Sequence, residues 1–78
     1  MPKPDLTWGD SVIIIKDAPA SMRPGSLGEV VGITDVDTQV LAATYGVSLG
    51  SRVYTIEFGD GCSAEISSSW VKKATEDL

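Results

Sequence analysis

Histidine is absent from this chain, and Cys62 is the only thiol among its 78 residues. Without an imidazole there is no histidine-dependent catalytic triad. Without a second thiol there is no disulfide framework, and the two shortages together exclude a zinc centre built on His or paired Cys. Cations are also scarce: six Lys and Arg stand against eleven Asp and Glu, for a net charge of −5. Lys3, Lys16, Arg23, Arg52, Lys72 and Lys73 are scattered, and only the last two are adjacent. Nucleic-acid binding draws its affinity from clustered Lys and Arg that displace counterions from phosphates, so a polyanionic ligand is disfavoured. The most apolar run, Val12 to Ile15, is far shorter than the ~20 residues a membrane-crossing helix needs. A soluble, cytoplasmic protein is the expectation, with no membrane partner.

What is present is ordinary globular composition, 42% hydrophobic and 22% charged, in a length that suits one domain with a small core. Pro2 and Pro4 mark a lead-in and Thr75 to Leu78 an acidic tail. The expected organisation is therefore one domain over 6–74 with flexible termini at 1–5 and 75–78. Between them turn signals are dense: Gly9-Asp10, Pro19, Pro24-Gly25, Gly46, Gly50 and Gly59-Asp60-Gly61. Short apolar runs between such signals predict an all-β barrel or sandwich.

Ser11 to Lys16 reads as a first strand, rich in β-branched residues. Gly28 to Thr34 reads as a second, with Glu29, Val31 and Ile33 on one face and Gly28, Val30 and Gly32 on the other. Its glycines predict a sharp bend or a close backbone neighbour. From Asp35 to Ser51 two readings compete. One is a short helix over Gln39 to Tyr45, capped at Asp37-Thr38 and stopped by Gly46; the other is a long irregular loop.

Arg52 to Phe58 and Cys62 to Ile66 form a hairpin whose register follows from its faces. A two-residue turn pairs Ile56 with Glu65 and puts a carboxylate in the core. A three-residue loop, Gly59-Asp60-Gly61, instead pairs Phe58 with Cys62, Ile56 with Ala64 and Tyr54 with Ile66, with Gly61 left-handed. Ser67 to Ser69 is expected as a 3₁₀ turn and Trp70 to Lys73 as a closing strand. Five short strands with a long second-to-third connection describe a small SH3-like barrel.

Gly9-Asp10-Ser11-Val12-Ile13-Ile14-Ile15 followed by Gly25-Ser26-Leu27-Gly28-Glu29-Val30-Val31-Gly32-Ile33 resembles the KOW motif of ribosomal proteins and transcription elongation factors. RNA-binding KOW domains are usually basic around the first loop, whereas here that loop, Asp17 to Pro24, offers only Arg23. The stretch Tyr54 to Ile66 is similar to the hairpin of small bacterial SH3-like proteins, some of which resemble predicted immunity proteins of polymorphic toxin systems. That resemblance implies a small, acidic cytoplasmic protein that binds one cognate partner.

Several residues invite functional readings. Asp10 is expected to fix the entrance of the first strand and Asp60 to serve its turn. Cys62, with no base to activate it, is expected to point inward beside Phe58 as a small hydrophobe. Trp8 and Trp70 are expected to pack in the core or at a barrel end. Tyr45, with Leu41 and Val47, either plugs the barrel end or presents a contact surface. Asp35 and Asp37 lie at the end of the second strand, while Glu57 and Glu65 are diagonal neighbours on the outer face of the hairpin. No pocket or apolar shell is implied that would split their pKa values for acid–base work.

The sequence thus predicts no catalytic residue, no metal site and no cofactor, and favours a binding module over an enzyme. Asp35, Asp37, Tyr45, Glu57 and Glu65 are the candidate contacts for one protein partner with a basic surface. A KOW-type component of a ribosomal or transcription assembly, or an accessory subunit of a larger enzyme, are the alternatives.

Overall fold

Residues 6–74 are described by the computed structural model; the termini expected to be flexible, 1–5 and 75–78, lie outside them. The class is all-β with one short helix. Strands β1 (Ser11–Ile14), β2 (Leu27–Asp35), β3 (Arg52–Phe58), β4 (Ser63–Ser67) and β5 (Val71–Lys73) build one antiparallel sheet in the order β4-β3-β2-β1-β5. The first four strands follow one another as a meander, and β5 returns to the free side of β1. Among the described residues no ladder joins β4 to β5, so the sheet stays open between them.

The main core lies on one face of this sheet. Val12 and Ile14 of β1, Val30 of β2, Tyr54, Ile56 and Phe58 of β3, Ile66 of β4 and Val71 of β5 are buried together with Leu6 and Ala18. Burial of this apolar surface, at about 25 cal/mol per Å², is the chief force holding so short a chain folded.

The β3–β4 hairpin has the three-residue loop. Tyr54 pairs with Ile66 and Ile56 with Ala64, the Phe58 amide donates to the Cys62 carbonyl, and Gly61 is left-handed at φ 86°. This register leaves Cys62 exposed, contrary to the inward placement expected. The carbonyl of Cys62 completes the ladder, but its thiol lies beyond the last core pair, where no strand covers it.

A bulge between Val30 and Gly32 corrects the alternation expected along β2. An extra residue changes the side of everything after it. Glu29 therefore shares the outer face with Gly32 and Thr34, while Val30 and Ile33 face the core, and Val31 at the bulge is exposed. Gly28 is the close approach that β2 predicts: a Cβ there would stand 2.5 Å from Ile56 Cγ2 and 2.9 Å from the Glu57 carbonyl oxygen.

The competition over 35–51 resolves as helix α1 (Gln39–Tyr45). Thr38 is its N-cap, accepting the Leu41 amide at 3.2 Å, and left-handed Gly46 returns its own amide to Ala42. No α1 residue is buried. Val36 and Val53 are buried outside the main cluster.

Trp8 is 65% exposed and does not join Trp70, which packs against the core. Trp8 sits inside a turn in which Asp10 accepts the Thr7 amide at 2.9 Å and the Gly9 amide donates to the Val30 carbonyl. The main chain around Trp8 is tied down, but its side chain projects outward.

Candidate functional site

Three of the five candidate contacts come together on the outer face of the sheet. Glu57 on β3 is opposite Ser63 on β4, and Glu65 is opposite Thr55, so the two glutamates are diagonal neighbours. The remaining neighbour, Glu29, was not among the candidates. It lies on β2 directly opposite Glu57, and the row Ser11–Glu29–Glu57–Ser63 crosses four strands. Like charges directly opposite are destabilising in a sheet, and neither glutamate takes part in a salt bridge among the described residues. The signal in the sequence was Glu29 itself; its partner across the ladder required the register.

Tyr45 reaches this face from the last residue of α1 and is half-buried. Hydrogen bonding with the Glu65 carboxylate, then partial burial, holds its phenol above the ordinary value, while Thr34 acts in the opposite direction. Tyr45 at the end of α1 thus stands near Glu65 and Thr34. Tyr45 is not part of the main core.

Asp35 and Asp37 do not join this group. Asp35, at the end of β2, accepts a 2.7 Å hydrogen bond from Arg52 Nε as an ion pair. Arg52 also meets Tyr54, and these contacts, Asp35 first, hold its guanidinium charge still more firmly. Asp35 is therefore a partner within the fold. Asp37 is exposed in the connection between buried Val36 and the Thr38 cap.

Beside the acidic row is an open groove of about 530 Å³, whose lining includes Leu27, Glu29, Glu57, Gly59 and Ala74. Leu27 is 64% exposed, an apolar contact next to two carboxylates. Among the described residues no three His, Cys, Asp or Glu side chains converge as metal ligands, and no helix is long and apolar enough to cross a membrane.

The first loop spends its one arginine inside the fold. Arg23 Nη1 meets Asp60 Oδ2 at 3.0 Å, and the guanidinium lies 4.8 Å from the centre of the Phe58 ring. Asp60 also accepts the Cys62 amide at 3.0 Å. Both Asp10 and Asp60 hence act on local backbone, as expected.

Compared with known protein families, curated proteins and solved structures, this chain matches none.

Proposed function

We propose that this chain is a non-catalytic protein-binding module of the SH3-like barrel type, whose acidic outer face occludes a basic surface on one partner protein. The strand order β4-β3-β2-β1-β5 supports the barrel reading. The observation that carries the function is the directly opposed pair Glu29 and Glu57, in no salt bridge among the described residues, with Glu65 diagonal to it. An arrangement that costs folding stability is well suited to a surface whose cations come from another molecule. Leu27 and Tyr45 add apolar and aromatic contact area beside the carboxylates.

The occlusion is steric and electrostatic. Carboxylates on rigid strands meet the partner's lysines and arginines, and steering by a net charge of −5 speeds the encounter. This is the manner of an immunity-type inhibitor acting in a cytoplasm. Engagement of Arg23 by Asp60 and Phe58 weighs against an RNA-binding KOW reading, since the only basic side chain of that loop is already held.

The test is parallel capture from native cells with the natural chain and a Glu57→Lys/Glu65→Lys variant. A stoichiometric protein with a basic domain, held by the first and lost from the second, supports the reading. Capture of the same proteins by both, or of ribosomal or polymerase components, refutes it.

A further inference from the structure

The sheet ends on β4, which no further strand of the described residues covers, and the hairpin geometry reveals which groups it offers. Among the described residues β4 pairs with β3 alone. The Phe58 amide donates to the Cys62 carbonyl, and antiparallel ladders alternate bonded and non-bonded pairs. Ile56/Ala64 and Tyr54/Ile66 are therefore the bonded pairs, and Ser63, Glu65 and Ser67 turn their N–H and C=O groups away from β3. Ser67 begins the following 3₁₀ turn, its hydroxyl accepting the Ser69 amide. Ser63 and Glu65 remain, both exposed, with no backbone bond to a further strand among the described residues.

Natural edge strands are usually blunted by shortness, by charged side chains, lysine above all, or by proline, a bulge or a covering segment; the one charge on β4 is the Glu65 carboxylate, which deters strands other than basic ones. β4 has no proline, no lysine and no bulge in its pairing with β3. The opposite edge, β5, is only three residues long and carries Lys72 and Lys73.

We propose that the β4 edge captures an extended segment of the partner as an added strand, one that alternates basic and apolar side chains. This deepens the acidic-face reading and rests on it. Side chains of an added strand project alternately to the two faces of the sheet. Those on the outer face stand beside Ser63 and Glu65, with Glu57 diagonal on the next strand, so they are cations. Those on the other face stand beside Ala64, half-buried against the core, so they are small aliphatics. Main-chain bonds supply affinity and the alternation supplies specificity. A second copy is the poorer occupant: antiparallel β4–β4 pairing puts two Glu65 side chains on one face, between chains that each carry −5.

The probe is a short peptide alternating lysine and valine, titrated into the full chain and followed by amide NMR and hydrogen exchange. The expected result is saturable binding with the Ser63 and Glu65 amides shifted and protected. Methylating the peptide nitrogens that would bond β4 leaves its charge intact and weakens binding about tenfold or more, as loss of two or three hydrogen bonds implies. Ser63→Pro, which removes an outward donor at the first residue of the strand where proline is tolerated, weakens it in the same sense. Equal binding of plain and methylated peptides, with shifts confined to Glu29 and Glu57, overturns strand addition while leaving the acidic face intact. Binding of neither peptide removes both readings, and self-association through β4 in sedimentation overturns the choice of partner.

Discussion

Glu29 on β2 and Glu57 on β3 stand directly opposite each other on the outer face of the sheet, and no cation of the described fold pairs with either. Cross-strand like charges cost a few tenths of a kcal/mol to about 1 kcal/mol. Glu57→Gln is therefore expected to raise the melting temperature by a few degrees, on the scale of about 4–8 °C per kcal/mol for a domain of this size. Added salt should stabilise the natural chain more than the variant, because screening relieves a repulsion the variant lacks. Thermal melts at low and high ionic strength check both expectations, and the same substitution should weaken capture of the partner.

Gly28 on β2 leaves no room for a side chain against β3. Gly28→Ala forces a Cβ into the space of Ile56 Cγ2 and the Glu57 carbonyl, and the fixed backbone oxygen leaves little room to relax. Overpacking of this kind costs about 1–3 kcal/mol. Urea unfolding should show a lowered midpoint with an unchanged slope.

At the hairpin tip, the Cys62 amide and then the Arg23 guanidinium hold the Asp60 carboxyl below its ordinary value. A depressed folded-state pKa contributes stability that is present above the unfolded value, near 3.9, and is lost as pH falls through the folded value. In Asp60→Asn this part of the acid dependence should vanish. Following the Asp60 carboxyl by NMR should find its midpoint below that of a free aspartate, moving upward in Arg23→Met.

Tyr45 carries the opposite sign. Its phenol is held up by Glu65 and by partial burial, so the contact's contribution is complete below the unfolded tyrosine value near 10 and is lost as pH rises through the folded one. Ultraviolet titration of phenolate should show a late-titrating group that disappears in Tyr45→Phe. That variant should also show faster amide exchange in α1, whose residues are nowhere fully buried.

Cys62 is expected to react with a thiol reagent in the native chain at close to the rate of the urea-unfolded chain, since it is exposed. Protection by more than about tenfold would mean that opening must precede reaction.

The strands and the hairpin register were legible in the sequence because each rests on local chemistry; the capping residues of α1 were visible too, but left helix and irregular loop in competition. Thr38 and Gly46 bound α1 through side-chain capping and left-handed geometry, and only one loop length kept Glu65 out of the core. What was not legible depended on non-local pairing. The glycines of β2 signalled a bend but not the extra residue at Val30/Gly32, which moves Ile33 to the core side and leaves Glu29 on the outer face. Of the candidate site, Glu57, Glu65 and Tyr45 followed from register and loop position. Asp35 looked like a free carboxylate because Arg52, its partner, is seventeen residues distant in sequence.

In the proposed complex, carboxylates on the outer face meet cations of a protein partner. The most direct test of this contact is the association rate between this chain and the basic protein it captures, measured across ionic strengths for the natural chain and Glu57→Lys/Glu65→Lys. The natural chain should associate fast, at a rate that falls steeply with added salt, and the variant should be slow at low salt and nearly insensitive to it. Equal rates with the same salt dependence for both chains would contradict this contact.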